Sequence, residues 1–433
     1  MVHESATEPD RSPTPVHALF SLRPGELPLV AWAWLYFFFV LSSYYCIRPV
    51  RDAFGLTGGD AELRWLFRAT LGVMIVVNPI FSALVGRFPR RVFIPVTYLF
   101  FAANLVVFFT LFSSTTDGDA PAVRRTFYVW VSVFNLFVVS VFWAFMADLF
   151  SVEQSKRLFG LIAVGGTLGA VAGASLPWLL AERIGAVNML PISIALLLAA
   201  CASMLQLNRT ARHRRDDGVT GSLAAAEDEQ QTPASEAPIG GSTWAGLTHL
   251  FRSPYLIGIG LFILFYTVLT TILYFVQADI VREAFESRAA RTAFFGKIDV
   301  LTNVLTALIQ IFLTGQFMRR LGVGVTLALL PLVYVAGFIA LGASPVLMVL
   351  VVFQVGRRAS NYALARPARE SLFTVLPRED KYKAKSLIDT FVYRAGDVIG
   401  TARISSLAIP LAVVWFALAL LLGWRQKTLV RRR

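Results

Sequence analysis

The chain has 433 residues, of which 56% are hydrophobic and only 15% charged, and its mean hydropathy is +0.64. A water-soluble fold cannot hide that much apolar surface, so the composition excludes a soluble globular protein and indicates one whose solvent is lipid. The net charge of +13 does not indicate nucleic acid as a partner, because the cations lie in short segments between apolar runs and not in one basic domain.

Because the hydrocarbon core of a bilayer is about 30 Å thick, a helix needs roughly 20 apolar residues to cross it. Apolar runs near this length follow one another along the chain, six before a long polar stretch and six after it, and the eleventh is short. The predicted fold class is therefore an all-α polytopic membrane protein of two six-helix halves, with about 12 transmembrane helices. The alternative is eleven crossings and a short or re-entrant piece in residues 386–404. The runs cover residues 27–47, 65–85, 92–113, 126–149, 158–181, 186–206, 254–277, 297–317, 321–343, 345–364, 386–403 and 405–424.

The polar segments divide the chain into five predicted parts. Residues 1–26 lack the apolar core of a cleavable signal peptide, and residues 207–245 have the polar composition of a disordered linker. Lysine and arginine gather in loops on one side, so the positive-inside rule places both termini in the cytoplasm. The expected location of a chain with many apolar helical spans is the inner (plasma) membrane. The parts are a cytoplasmic N-terminal segment (1–26), an N-terminal six-helix half (27–206), a disordered cytoplasmic linker (207–245), a C-terminal helical half (246–424) and a basic cytoplasmic tail (425–433).

The two halves match each other in sequence. Residues 40–43 (Val-Leu-Ser-Ser) resemble residues 268–271 (Val-Leu-Thr-Thr), and residues 50–54 resemble residues 281–285 after a three-residue insertion. A second, collinear match follows the fourth and tenth runs, so a duplication is indicated. Since six is an even number of crossings, both halves have the same orientation. That is the parallel-repeat arrangement of the major facilitator fold, with a site between the halves near the bilayer midplane.

Short charged turns at one end of the runs predict gate contacts. Residues 86–91 and 315–320 are equivalent turns after the second and eighth runs, and they resemble the turn signature of the major facilitator family. In that family such loops brace the cytoplasmic gate, so we expect a structural role and not contact with the substrate. The predicted gate residues are Arg87, Arg90, Asp148, Arg319 and Arg320.

Ionisable side chains inside a span cost several kcal/mol unless they face a cavity or a partner, so each is a site candidate. Gln354, Arg358 and Asn361 are spaced i, i+4, i+7 and share one helix face. Cations exceed anions at this depth, which predicts a cavity for an anion such as a phosphate or carboxylate. The predicted substrate-binding residues are Arg48, Arg51, Arg68, Gln354, Arg358, Asn361 and Lys385. The predicted coupling or charge-pairing residues are Asp52, Asp299, Asp389, Arg394 and Asp397.

The segments that carry these charges resemble a known family. Residues 48–52 (Arg-Pro-Val-Arg-Asp), 383–389 and 391–397 resemble the ATP/ADP antiporters of plastids and intracellular bacteria, and the bacterial branch most of all. In the nucleotide exchangers of that family a lysine precedes the acid that ends helix one, and another opens helix eleven. Arg51 matches the first position and Lys385 the last. The family's acid in helix four has no counterpart around Ser132 to Asn135.

The leading hypothesis is a secondary transporter that moves an organic anion, such as a nucleotide or another phosphorylated metabolite, by alternating access. The alternatives are a proton-coupled transporter of a lipid or amphiphilic solute and a non-transporting membrane assembly or sensor protein. An enzyme is not expected, because the four histidines lie outside the apolar runs and no phosphate-cradling glycine loop occurs. We predict no cofactor and no metal. The expected partners are a small anionic solute and the bilayer, with the chain a monomer.

Overall fold

A computed structural model describes residues 23, 26–87, 90–115, 120–216, 253–375, 388, 392–402 and 405–431. No strand occurs among these residues. Ten of the described helices are long and apolar enough to cross a membrane, which confirms the prediction of an all-α polytopic membrane protein. The first six helices are α1 (Leu27–Gly55), α2 (Gly59–Arg87), α3 (Arg90–Ser113), α4 (Pro121–Leu149), α5 (Val152–Ile184) and α6 (Met189–Asp216).

The helices of the second set are less regular. The eighth becomes a π-helix over Gln310–Thr314, and the tenth does so over Asn361–Ala365. The later helices are α7 (Pro254–Ala284), α8 (Arg288–Arg320), α9 (Gly322–Ala343), α10 (residues 347–372), α11 (Tyr393–Gly400) and α12 (Ala408–Arg431). The ten potential spans are α1 to α9 and α12. The count of twelve stays a prediction, because α10 and α11 are not among these spans and part of the eleventh run lies outside the described residues.

Two helices extend into the segments predicted as the linker and the tail. The α6 helix continues to Asp216, ten residues into the segment expected to be a linker, and α12 continues to Arg431 through most of the expected tail. The ends of both helices are rich in arginine, and cations are favourable at the C-terminus of a helix, where the backbone dipole is negative. Residues 217–245 of the predicted linker and most of residues 1–26 lie outside the described residues.

Serine residues begin three of the helices. The hydroxyl of Ser151 accepts a hydrogen bond from the backbone N–H of Gln154 at 3.3 Å, and the Gln154 side chain accepts one from Ser151 in return. Ser253 and Ser287 cap α7 and α8 in the same way. Each hydroxyl satisfies a backbone donor that the first helical turn leaves without a partner.

Each half has a hydrophobic core of its own. One core consists of buried residues between Leu29 and Leu207, and the other consists mainly of residues between Tyr255 and Leu422. The second core also includes a few residues of the first half, among them Ala53 and Leu63 at the joined ends of α1 and α2. The halves meet where α5 and α1 pack against α8, and where α2 packs against α11. This is the two-halved architecture that the internal repeat predicts.

The same close helix contact occurs once in each half. In the first half α1 packs tightly on α5, where a Cβ atom at Gly169 or Gly173 would overlap the backbone carbonyl of Phe38 or Ser42. This contact is the close packing that small residues at i, i+4 spacing permit between membrane helices. In the second half, Gly396 and Gly400 of α11 likewise pack against Thr267 and Thr271 of α7. The resemblance of the two halves therefore extends from sequence to packing.

A basic cavity between the two halves

A cavity of about 220 Å³ lies between the halves, lined by residues from both. The first half contributes residues of α1, α2 and α4, and the second contributes residues of α7, α8, α10 and α11. Four arginines and three aspartates line the cavity, which leaves one net positive charge. These residues are Arg48, Arg51, Arg357, Arg358, Asp52, Asp299 and Asp397.

Asp299 joins the two halves across the cavity. Its Oδ1 atom lies 2.6 Å from Nη2 of Arg358 on α10 and 3.3 Å from Nη1 of Arg48 on α1. The carboxylate is almost fully buried, with 4% of its side chain exposed, and its Oδ2 atom has no hydrogen-bond partner among the described residues. One aspartate thus faces two guanidinium groups, so positive charge remains at this point of the cavity.

A second ion pair closes the end of α1. Arg51 lies 3.4 Å from the Oδ1 atom of Asp52, and Tyr274 of the other half donates a hydrogen bond to the same oxygen at 3.4 Å. The Arg51 guanidinium also stacks over the ring of Tyr128, 4.1 Å from the ring centroid, and donates to the Tyr128 backbone carbonyl. These contacts fix the orientation of Arg51. Other N–H groups of its guanidinium remain available as donors to the cavity that Arg51 lines.

Arg357 is the buried arginine of the cavity that has only neutral partners. It donates to Oε1 of Gln354 at 2.8 Å and to the hydroxyl of Tyr334 at 3.0 Å, and no carboxylate among the described residues forms an ion pair with it. The Nε2 atom of Gln354 is buried without a hydrogen-bond partner in the described part of the chain. A buried guanidinium held by neutral groups favours an anion as its missing partner.

The third carboxylate, Asp397, lies at the wall formed by α11. Arg394 pairs with its Oδ2 atom at 3.2 Å from one turn away on the same helix, and the hydroxyl of Thr271 donates to its Oδ1 atom at 3.5 Å. Arg394 and Asp397, two of the predicted charge-pairing residues, therefore form an ion pair with each other.

Aromatic rings line the cavity between these charges, and the sequence analysis did not single them out. Phe67 of α2 contacts Tyr274 of α7 with ring centroids 5.4 Å apart, so this ring pair also spans the two halves. Regular spacing could not separate these rings from the many other aromatic residues of a lipid-facing chain. The aromatic lining residues are Phe67, Tyr128, Tyr266, Tyr274, Phe295, Tyr362 and Tyr393.

The structure brings most of the predicted site residues together. Arg48, Arg51, Gln354 and Arg358 line the cavity, and Asn361 donates a hydrogen bond from its side chain to the hydroxyl of the lining residue Tyr266. Arg357, which the predicted set omitted, lines it too. Lys385 and Asp389 lie outside the described residues.

Arg68 is not brought into the cavity. Its side chain is exposed, whereas the preceding residue, Phe67, lines the cavity. Successive residues of a helix point about 100° apart, and on α2 it is the side chain of Phe67 that faces the cavity. The expectation that Arg68 lies among the anion-binding groups is not met.

The predicted gate residues fall into two groups. The side chains of Arg87 and Arg90 lie outside the described residues. Asp148, at the end of α4, is exposed, as are Arg319 and Arg320 in the last turn of α8. Arg319 donates to the carbonyl of Gly315 in its own helix at 3.2 Å. A gate role for these five residues stays a prediction.

Two helical halves around a central charged cavity are the architecture of the major facilitator fold, and solved structures share this fold. The chain aligns with the crystal structure of peptide transporter POT (E310Q mutant) with a TM-score of 0.61 and 13% identity, covering 93% of this chain and 95% of the other. A POT family transporter in complex with 5-aminolevulinic acid gives a TM-score of 0.60 at 11% identity, covering 92% and 96%. At these identities the likeness concerns the fold alone.

The family is given by sequence. Residues 125–419 match the TLC ATP/ADP transporter family, and the chain belongs to that family. ADP,ATP carrier protein 2 of Chlamydia trachomatis serovar D is 25% identical over 89% of this chain and 84% of its own length. ADP,ATP carrier protein 1 of the same organism is 22% identical over 87% and 81%. The resemblance drawn from residues 48–52 and 383–397 is thereby confirmed.

Proposed function

We propose that this chain exchanges phosphorylated organic anions, adenine nucleotides foremost, across a bacterial inner membrane by alternating access of its central cavity. The observation that carries the proposal is the unbalanced positive charge of that cavity, and Arg357 in particular. The names of the relatives, which are ADP,ATP carriers, support the choice of nucleotide.

Charge balance is the physical reason for an anionic cargo. Removing a guanidinium from water is unfavourable unless a counter-charge or several good hydrogen bonds compensate it. Arg357 has two neutral acceptors, and the pair Arg48 and Arg358 shares one carboxylate. A phosphate can accept two parallel hydrogen bonds from one guanidinium, so it matches these donors in charge and in geometry.

Asp299 acts in this proposal as the internal counter-ion of the unloaded carrier. It contacts an arginine of each half, and it neutralises them only in part. A phosphate that enters between Arg48 and Arg358 takes over this contact, because it offers more acceptor oxygens than one carboxylate does. The aromatic rings beside the arginines then provide flat apolar surfaces on which a base can stack.

Loading requires the cavity to enlarge. Its volume of about 220 Å³ is below the roughly 300–1,000 Å³ of ligand pockets that accept drug-sized molecules. Displacement of Asp299 and separation of the halves on one side of the membrane would supply the missing space. The small volume also favours a second candidate cargo, a compact phosphorylated or carboxylated metabolite, which would bind with less rearrangement.

Uptake into vesicles tests the proposal. Protein reconstituted in vesicles preloaded with ADP should take up labelled ATP, and Arg357→Gln should lower this uptake at least tenfold. The matched control is Arg425→Gln, at the exposed end of α12, which should leave uptake unchanged. Uptake of phosphate or small carboxylates without ATP uptake would favour the compact cargo, and Arg357→Gln uptake equal to that of the parent would overturn the role of the cavity.

The coupling mechanism needs a separate experiment. A proton-coupled carrier of a lipid or amphiphile would depend on a pH gradient, and its acids would titrate during transport. We expect ATP uptake to depend on internal ADP and to persist without a pH gradient. Asp299→Asn should tighten ADP binding while it slows exchange, because the empty carrier loses its counter-ion. Loss of uptake on collapse of the pH gradient would overturn exchange.

The orientation and oligomeric state belong to the same proposal. Both termini and the segment 207–245 are placed on the cytoplasmic side, and the chain works as a monomer. Cys46 and Cys201 are buried, so a single added cysteine can report accessibility. A cysteine at Ser114, between α3 and α4, should react with an impermeant maleimide from outside the cell, and one at Ser235 should not. The opposite result would invert the topology.

A further inference from the structure

A second and larger cavity lies on the lateral face of the molecule. It has a volume of about 720 Å³ and is bounded by the end of α5, the first turns of α8 and the start of α10. It therefore touches both halves, and it shares only Ile298 with the lining of the central cavity. We call it the lateral groove.

The walls of the lateral groove are apolar and open. Trp178 and Leu179 of α5 line one side, and Leu347, Met348 and Val351 of α10 line the other. Leu179 is 59% exposed and Met348 is 72% exposed. Because these helices are potential spans or lie beside them, such exposure matches contact with lipid chains and not with water.

One cation lies inside this apolar groove. Lys297 lines it on α8, nine residues after the helix begins, which is about 14 Å along the helix axis. Its side chain is exposed, and no ion pair joins it to another residue in the described ranges. An ammonium at this depth costs several kcal/mol unless an anion reaches it. Arg183 and Glu182 lie at the rim, so the charges of the groove sum to one positive charge.

The floor of the groove is a joint between the halves. Gly296, next to Lys297, lies at a close contact of α8 with α5, and a Cβ atom there would be 2.8 Å from the backbone N of Trp178. Any rocking of the halves changes the angle at this crossing. A molecule in the groove contacts α5 on one side and α8 and α10 on the other, so its binding depends on that angle.

We propose that the lateral groove is a binding site for one anionic glycerophospholipid. Its phosphate pairs with Lys297, its headgroup faces Arg183 and Glu182 at the rim, and its acyl chains follow the walls formed by Leu179 and Met348. The lipid contacts α5 of one half and α8 of the other where the two helices cross, so it favours one angle between the halves. This inference does not depend on the identity of the transported solute.

Lipid retention tests the site. The purified protein is incubated with phosphatidylglycerol or phosphatidylcholine and analysed by native mass spectrometry. The parent protein should retain one phosphatidylglycerol in preference to phosphatidylcholine. Lys297→Gln should lower this retention at least tenfold, and Lys297→Arg should restore it. The control is Lys427→Gln, an exposed lysine near the end of α12, which should retain the lipid as the parent does.

Three results would overturn the proposal. The first is equal retention of phosphatidylglycerol by Lys297→Gln and the parent, which would mean that Lys297 extends towards water and binds no lipid. The second is equal retention of phosphatidylcholine and phosphatidylglycerol by the parent. The third is displacement of the lipid by free phosphate or ADP, which would make the groove an anion site for soluble ligands. A folded Lys297→Arg variant keeps the test valid if Lys297→Gln is unstable.

Discussion

The two halves resemble each other in sequence and packing, yet they contribute unequally to the cavity. The first half provides five of its lining residues, with its charges confined to the end of α1, and the second half provides the remaining fourteen. In the first half the α1–α5 contact is closed by glycines, and Ser42 of α1 donates a hydrogen bond to the Gly169 carbonyl of α5 at 3.0 Å. This half has the features of a rigid scaffold.

The second half carries its polar groups on distorted helices. The π-helical segments of α8 and α10 lie side by side, where the Thr314 hydroxyl donates to the Ala363 carbonyl at 2.8 Å. A π-helical turn rotates the side chains that follow it relative to an α-helix, and such turns are frequent at functional sites. The comparison teaches that the two halves are similar frames, and that in the described residues only the second half has π-helical segments in helices that line the cavity.

The largest effect is expected at the α1–α5 contact. Gly169→Leu places a side chain against the backbone of Phe38, where no rotamer can avoid the overlap, so α1 and α5 must separate. Overpacking in a tight interior costs about 1–3 kcal/mol or more, and here the obstacle is backbone. We expect little monodisperse protein by size-exclusion chromatography. Gly160→Leu, on the same helix with open space around it, is the control. Normal behaviour of Gly169→Leu would mean that the first half is not a rigid scaffold.

The two arginines that share Asp299 test the unequal division of the cavity. Arg358 of the second half lies 2.6 Å from Asp299, whereas Arg48 of the first half lies 3.3 Å away. Removing one partner of a buried ion pair costs about 3–5 kcal/mol. Arg358→Gln should therefore lower the thermal midpoint and the uptake of labelled ATP more than Arg48→Gln does. A larger effect of Arg48→Gln would mean that the first half, and not the second, contributes the more important arginine of the cavity.

Much of the fold could be predicted from the sequence, because spans have a composition that soluble segments lack. The apolar runs predict the ten potential spans, and the sequence match between the halves predicts that both halves have the same orientation in the membrane. Helix ends were less predictable: α6 and α12 continue beyond the apolar runs, since a helix that leaves the membrane can extend into water.

The site could be predicted as a set of charges but not as a set of contacts. The excess of arginine over acid identified Arg48, Arg358 and Asp299 as candidates, whereas their meeting depends on the packing of three helices that are distant in sequence. The hardest feature to predict was which side of each helix faces the cavity. The i, i+4, i+7 spacing selected Arg358 and left out its neighbour Arg357, although Gln354 and Arg357 are spaced i, i+3 and also share a face of an α-helix. Both arginines line the cavity. The sequence likewise did not predict in which direction around α2 the side chain of Arg68 points.

A contact between the halves at the α1–α2 and α7–α8 turns gives the third prediction. Arg282 of α7 donates to the Leu56 carbonyl at 3.0 Å and to Asp60 at 2.8 Å. Arg282→Gln weakens this link, so the cavity should open more often at that end. A cysteine at the buried lining residue Gln277 should then react several-fold faster with an impermeant maleimide.

The control for this prediction is Arg125→Gln. Arg125 also forms an ion pair with a carboxylate, that of Glu62 at 3.1 Å, but both residues belong to the first half. Its loss should leave the labelling rate at Gln277 unchanged. If both variants accelerate labelling equally, the effect is a general loosening, and the contact of Arg282 does not hold the halves together.

The smallest effect is expected at the entrance to α1, within the scaffold half. Glu26 accepts hydrogen bonds from Arg157 of α5 at 2.9 and 3.2 Å, from Gln154 at 3.1 Å and from the backbone of Arg23 at 2.9 Å. Burial raises the pKa of the Glu26 carboxyl, but the hydrogen bonds, that of Arg157 first, outweigh burial and hold the pKa below its usual value.

The direction of that pKa shift fixes the pH dependence. A carboxyl with a lower pKa in the folded state stabilises it above the unfolded-state pKa of about 4.3, and this contribution is lost as the pH falls through the lower folded-state pKa. Glu26→Gln should therefore cost about 1 kcal/mol at pH 7 and almost nothing below the folded-state pKa. Thermal midpoints measured against pH check this, with Glu153→Gln, a mostly exposed acid at the same end, as the control. A deficit that does not change with pH would mean that Glu26 acts by shape alone, so that charge plays no part in joining α1 to α5 at this end.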